Sequence, residues 1–223
     1  MELTAVMARV AIVAVPLLVA VVLHEVAHGV VAYACGDPTA ARAGRLTLNP
    51  LAHVDPVGTL LVPGLLLLMP LLLGTTPFVF GWAKPVPIDP RWFKRPRLDG
   101  LLVALAGPGT NLVLAVVSAL VLGWLAAATT ESTPATRFLA NLAAQSILIN
   151  CVLAVFNLLP VPPLDGGRVL TAVLPEDAAR ALNQLERIGI VIVLLVVMNT
   201  GILSLLVRPM VAWCYGLAQR MAG

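Results

Sequence analysis

The sequence predicts an all-α polytopic membrane protein, a bundle of four to six transmembrane helices with a re-entrant or interfacial segment and a short extended, hairpin-like loop. Three observations predict it. Of 223 residues, 60% are apolar and only 11% are charged, whereas soluble chains carry about 25% charged residues. Four or five apolar stretches reach the roughly 20 residues that a helix needs to cross a hydrocarbon core of about 30 Å. The ionisable residues inside those stretches fall in short patterned groups instead of being scattered. Residues 1–223 read as a single integral-membrane domain, with a core from about 10 to 206 and no stretch that resembles an independent soluble unit.

Residues 10–34 form the first span, nearly unbroken apolar sequence around one polar cluster. Arg9 ahead of an apolar run suggests a signal peptide, but the run continues through His24 without a small-residue cleavage site. Gly36-Asp37-Pro38 ends the helix with turn chemistry, and a polar connection over 37–56 carries Arg42, Arg45, His53 and Asp55. Residues 57–74 are apolar but interrupted by Pro63, Gly64 and Pro70, which makes 57–80 a re-entrant or interfacial insertion. The basic loop, 81–100, holds Lys84, Arg91, Lys94, Arg95 and Arg97. Within it residues 84–88 alternate like an extended strand that Pro85 and Pro87 confine to an edge.

A second span covers 101–127, where Gly107, Pro108 and Gly109 permit close helix contact or a kink. A third runs over 138–159 and breaks at Pro160, Pro162 and Pro163, followed by Leu164-Asp165-Gly166-Gly167-Arg168. Residues 169–187 read as a short amphipathic helix with a helix start at Pro175-Glu176-Asp177. Residues 188–206 are a fourth span; 209–217 alone are too short to cross, although 201–218 together are long enough. Cys35, Cys151 and Cys214 are odd in number and far apart, so they make neither a disulfide framework nor a zinc ribbon.

The chemistry is concentrated in Leu-His-Glu-Val-Ala-His-Gly, residues 23–29. Four residues apart on a helix, His24 and His28 share one face and can share a metal ion, with Glu25 beside them, the pattern of a zinc hydrolase. Inside lipid such a cluster costs several kcal/mol unless it is paired or metal-bound. Catalytic zinc takes three protein ligands and leaves a fourth position open, so one ligand remains to be found. His53 with Asp55 in the polar loop is one candidate. Asp165, just past the proline-broken helix, is preferred, because non-helical backbone at membrane depth is tolerated only against protein or a water-filled cavity. The competing role for Asp165 is to cap the Gly166-Gly167 bend. Asn157 is a polar amide that could hydrogen-bond a neighbouring helix or donate to a developing oxyanion; its spacing does not choose.

HEVAHG at 24–29 together with NLLPVPPLDGG at 157–167 resembles the site-2 protease family of intramembrane zinc metalloproteases, which carries H-E-x-x-H on one membrane helix and N-x-x-P-x-x-x-L-D-G on another. AGPGTN at 106–111 is similar to the family's G-P-x-x-N stretch. The resemblance implies one zinc ion per chain held by His24, His28 and Asp165, Glu25 as general base, and Asn157 as a substrate or oxyanion contact. The loops are too short for the PDZ or cystathionine-synthase-like domains of many members. The chain therefore resembles the minimal-core branch, with insertions like 46–59 and 80–87 in their place.

If the ligands are to meet, the first and third spans run the same way and 57–74 does not cross. With that topology Arg42, Arg45, Lys84, Arg91, Lys94, Arg95, Arg97, Arg168, Arg180 and Arg187 lie on the active-site side, ten of the 14 Lys and Arg. The positive-inside rule makes that side cytoplasmic, in a multi-pass protein of the plasma membrane. The expected activity is hydrolysis of peptide bonds within or near transmembrane segments of membrane-protein substrates, in regulated intramembrane proteolysis. Two other classes compete: a metal transporter, which has no use for Glu25, and a catalytically silent adaptor, which has no use for a complete set of catalytic residues. The expected partners are transmembrane substrates and the bilayer, with a homodimer a possible assembly. The net charge of +3 sits in connections without any nucleic-acid-binding module.

Overall fold

Runs of Leu, Val and Ala too long and too apolar to stop in water build the frame. In a computed structural model, which describes residues 3–62, 65, 66, 68, 81–128 and 133–223, the main helices are α1 (Leu3–Ala34), α2 (Pro96–Ala128), α3 (Pro134–Asn157), α4 (Asp165–Val173), α5 (Glu176–Asn183), α6 (Glu186–Thr200) and α7 (Ile202–Ala222). Among the described residues α1, α2, α3 and α7 are long and apolar enough to cross a membrane, and there is no strand.

Side-chain contacts fix the helix directions. His28 meets Val103 and His24 meets Asn111, so α2 runs antiparallel to α1. Asn111 meets Asn150 and Ser118 meets Ser146, so α3 reverses again and runs parallel to α1. The end of α1 and the start of α2 therefore lie at the same end of the bundle. The insertion expected over 57–80 falls for most of its length outside the described residues.

Small residues set the packing. Ala115 and Ala119 on α2 are buried against Ile147, Cys151 and Val155 of α3 and Val207 and Cys214 of α7, the close approach that association in lipid requires. The outer surface is apolar: Val10, Leu17, Val113, Val117 and Trp124 are all exposed, an arrangement suited to hydrocarbon and not to water.

Local chemistry sets the ends. Thr133 caps α3, its hydroxyl accepting from the Thr136 N–H at 3.1 Å, with Pro134 in the first turn. Asp99 in the first turn of α2 accepts the Arg95 N–H at 2.8 Å. Gly201 ends α6 in the left-handed region, at φ 64°, where a side chain would be strained. That glycine divides the expected span 188–206, and the helix long enough to cross here is α7, built on the stretch from 201 onward. The amphipathic stretch 169–187 likewise divides in two at Pro175, whose fixed ring starts α5 at Glu176.

Residues 81–89 carry no regular secondary structure. They form a strap across the end of α1. Its backbone is tied at alternate residues: the Trp82 N–H to Gly58 O at 3.1 Å, the Lys84 N–H to His53 O at 2.9 Å, and the Val86 N–H to Glu25 Oε2 at 2.9 Å. Arg45 donates to Lys84 O at 2.7 Å, Thr59 to Trp82 O at 2.9 Å, and the Asp89 N–H reaches the fully buried Asp37 at 2.7 Å. At the strap's outer corner Arg91 hydrogen-bonds the Asp89 carboxylate and holds it below the usual carboxylate range.

Candidate metal centre and active site

His24 and His28 lie on the face of α1 that α2 covers. Each ring is oriented from behind: His24 Nδ1 lies 2.6 Å from Asn111 Oδ1, and His28 Nδ1 lies 2.7 Å from Val103 O. The carbonyl of Val103 can only accept, so His28 carries a proton on Nδ1, which makes Nε2 the lone-pair nitrogen of the neutral ring. The two Nε2 atoms point at one another across 3.0 Å. Beyond the proline run, Asp165 opens α4 and brings Oδ2 to 3.3 Å from each of them.

All three side chains are buried, and Asp165 Oδ2 has no hydrogen-bond partner. Imidazole lone pairs and a carboxylate oxygen facing one another in a dry site repel unless a cation lies between them. Tetrahedral zinc, with ligand distances of about 2.0–2.2 Å, spaces its ligand atoms about 3.3–3.5 Å apart, close to what is found. The residues fit the ion.

Gly107 makes room for this arrangement. A methyl group there would collide with His28 Nε2 and with the His24 ring. Gly29 does the same on the other side of α1, where a Cβ would run into Leu46 and Val86 and push the strap off the helix. The close-contact reading of Gly107-Pro108-Gly109 thus acquires a specific purpose at its first residue.

The donors open onto a cavity of about 790 Å³. Glu25, Asn157, Val86, Phe93 and Leu164 are among its lining residues. Glu25 has one carboxylate oxygen held by the Val86 N–H. Asn157 reaches the cavity from the end of α3, and its amide donates to Leu153 O at 3.0 Å. The rival third ligands are engaged elsewhere: His53 is buried with Nε2 2.9 Å from Thr47 O, and Asp55 caps the turn Pro56–Leu61 by accepting from the Val57 N–H at 3.0 Å and the Gly58 N–H at 2.6 Å. Among the described residues, the group able to hold a metal ion is His24, His28 and Asp165.

Sequence reasoning missed three features: the strap's bond to Glu25, the collision that Gly107 avoids, and the buried pairing of Asn150 with Asn111, the latter read only as part of the stretch 106–111. The last had a signal, since two Asn side chains in otherwise apolar spans require partners.

Comparison with known proteins agrees with this site. YwhC of Bacillus subtilis, which carries the name of a zinc metalloprotease, is 42% identical over 197 residues, covering 88% of this chain and 84% of its own. The chain belongs to peptidase family M50, the site-2 proteases. The model of that family matches residues 121–199, the part of this metalloprotease that contains Asn157 and Asp165. Two further relatives carry the zinc metalloprotease name Rip2. The Mycolicibacterium smegmatis protein is 34% identical over 83% of this chain and 66% of its own, and that of Mycobacterium tuberculosis H37Rv is 31% identical over 79% and 62%. The protein is thus an integral-membrane zinc metalloprotease. No solved structure matches it.

Proposed function

We propose that this protein cleaves peptide bonds within or near the transmembrane segments of membrane-protein substrates, with His24, His28 and Asp165 as the zinc ligands and Glu25 as the general base. The observation that carries the reading is the convergence of three buried ligand atoms at 3.0–3.3 Å beside a carboxylate, with Asp165 Oδ2 left without a hydrogen-bond partner. Bound zinc supplies Lewis acidity and lowers the pKa of water toward about 7. Glu25 takes the proton of the attacking water and returns it to the leaving amine, using the oxygen that Val86 does not hold. Asn157, at the cavity wall, turns its amide from Leu153 O toward the oxyanion of the scissile carbonyl.

A helical substrate hides its amides in its own hydrogen bonds, so it must unwind before attack. The strap at 81–89 supports a role in holding the unwound segment. Residues 82, 84 and 86 spend their backbone bonds inward, and period-two alternation turns 83, 85 and 87 the other way. Pro85 and Pro87 lack N–H groups, so that edge accepts more than it donates and suits the N–H groups of an added strand. The positive-inside rule supports a site on the cytoplasmic side of the membrane.

Mass spectrometry of membrane peptides from cells in which wild-type protein is exchanged for Glu25→Gln tests the reading. Intact transmembrane fragments are expected to accumulate in the variant. Identical peptide profiles, with both proteins present at equal levels, would overturn it.

A further inference from the structure

Behind the site, on the side away from the cavity, a chain of buried polar side chains crosses three helices. Asn111 on α2 is 0% exposed and Asn150 on α3 is 1% exposed, so no solvent competes for their amides. The direction of each hydrogen bond in this chain can be worked out from its far end.

Ser146 O is a backbone carbonyl and can only accept, so the Asn150 atom 2.9 Å from it is Nδ2. That leaves Asn150 Oδ1 facing Asn111, whose Nδ2 donates to it at 2.9 Å and also lies 3.4 Å from the carbonyl of Ala20. Both contacts demand a donor, which fixes Asn111 with Oδ1 toward His24. An amide oxygen 2.6 Å from His24 Nδ1 requires a proton there and makes Nε2 the lone-pair nitrogen of the neutral ring.

We propose that Asn111, oriented by Asn150 and the Ser146 carbonyl, is a positioning residue that holds His24 in the single tautomer able to bind the metal. The chain also ties α1 to α3, the helix that leads to Asp165, so both halves of the donor set share one polar anchor. His28 receives the same service from a backbone carbonyl, which no substitution removes. His24 depends on a side chain, and on that side chain pointing the right way round. The inference rests on His24 as a zinc ligand and goes beyond it by naming what makes the ring competent.

Two measurements on the full chain in nanodiscs test it. The first is ¹⁵N NMR of histidine-labelled, zinc-free wild-type protein. His24 and His28 are each expected to carry a proton on Nδ1, and His53, whose Nε2 faces Thr47 O at 2.9 Å, one on Nε2. His24 protonated on Nε2 and not on Nδ1 would overturn the proposal. The second is zinc competition against a chelator. Asn111→Leu keeps the shape and removes the acceptor, and zinc affinity should fall about 10- to 100-fold, the usual scale for losing such a partner. Asn111→Asp keeps an acceptor for His24 Nδ1–H, so it should bind zinc more tightly than Asn111→Leu.

Folded Asn111→Leu protein with wild-type zinc affinity would overturn the proposal, and so would equal losses in the Leu and Asp variants. If Asn111→Leu does not fold, the wild-type NMR result decides. Wild-type protein that takes up no zinc at all would instead overturn the ligand reading beneath it.

Discussion

The two walls of the site are built by different means. The inner wall is helix against helix: α1, α2 and α3 satisfy their own backbone groups, and His24 and His28 are held by Asn111 and Val103. The outer wall is irregular backbone, the strap at 81–89 and the turn after Asn157, where Leu159, Val161 and Leu164 donate only to carbonyls within three residues. The strap is secured by side chains from outside it, namely Glu25, Asp37, Arg45 and Thr59. Irregular backbone at membrane depth survives only where it faces protein or water. The regular wall therefore suits the holding of metal ligands, and the irregular wall suits the admission of water and an unwound peptide. Changes to the inner wall should register in metal binding and turnover. Changes to the outer wall should register in KM with the metal intact.

Glu25 belongs to both walls, and its removal has the largest expected effect. Glu25→Gln keeps an oxygen to accept the Val86 N–H but cannot take a proton. Turnover should fall about 10²- to 10⁴-fold, while metal analysis still finds one zinc per chain. Loss of zinc in that variant would merge the two walls into one unit and break the comparison.

Gly107→Ala probes the inner wall alone. The added methyl meets both imidazoles, so either a ring or α2 must move. A displacement approaching 1 Å costs about 10²-fold in kcat/KM, and zinc should become easier to strip by chelator. Unchanged zinc affinity would mean that the rings have slack which the close approach does not suggest.

Much of this was legible in the sequence because it rests on short-range rules. The i, i+4 spacing brings His24 and His28 to one face, and an unbroken apolar run leaves α1 no alternative to crossing. Three prolines ahead of Asp165 announce irregular backbone, and Asp165 does lie with the two imidazoles. What was not legible depends on register between helices. Nothing local says that Asn111 meets His24 and Asn150 together, or that Gly107 rather than Gly109 faces the rings. The division at Gly201 had a local signal in Asn199-Thr200-Gly201, but the long apolar runs beyond it on both sides outweighed it.

The outer wall is sharpened by Arg45→Met, which keeps the buried stem and removes the donor to Lys84 O. A hydrogen bond from a charged group is worth about 1.5–3 kcal/mol, and part of that holds the strap in place. KM for a transmembrane peptide should rise about tenfold, with kcat and zinc content near wild type. A fall in kcat at constant KM would show that the strap orders Glu25 more than it holds substrate.

His53→Ala should have the smallest effect on chemistry, and it tests whether the loop stays out of the metal site. The imidazole is buried and bonded to Thr47 O, so its loss removes a hydrogen bond worth about 1 kcal/mol and leaves a cavity that adds to that cost. The bond from His53 to the strap is made by its backbone carbonyl, which accepts the Lys84 N–H and survives the substitution. Zinc should remain at one per chain, in contrast to Asp165→Ala, where two imidazoles alone should lose the ion to a mild chelator. The reverse pattern, zinc kept without Asp165 and lost without His53, would move the third ligand into the loop and make the outer wall part of the metal centre.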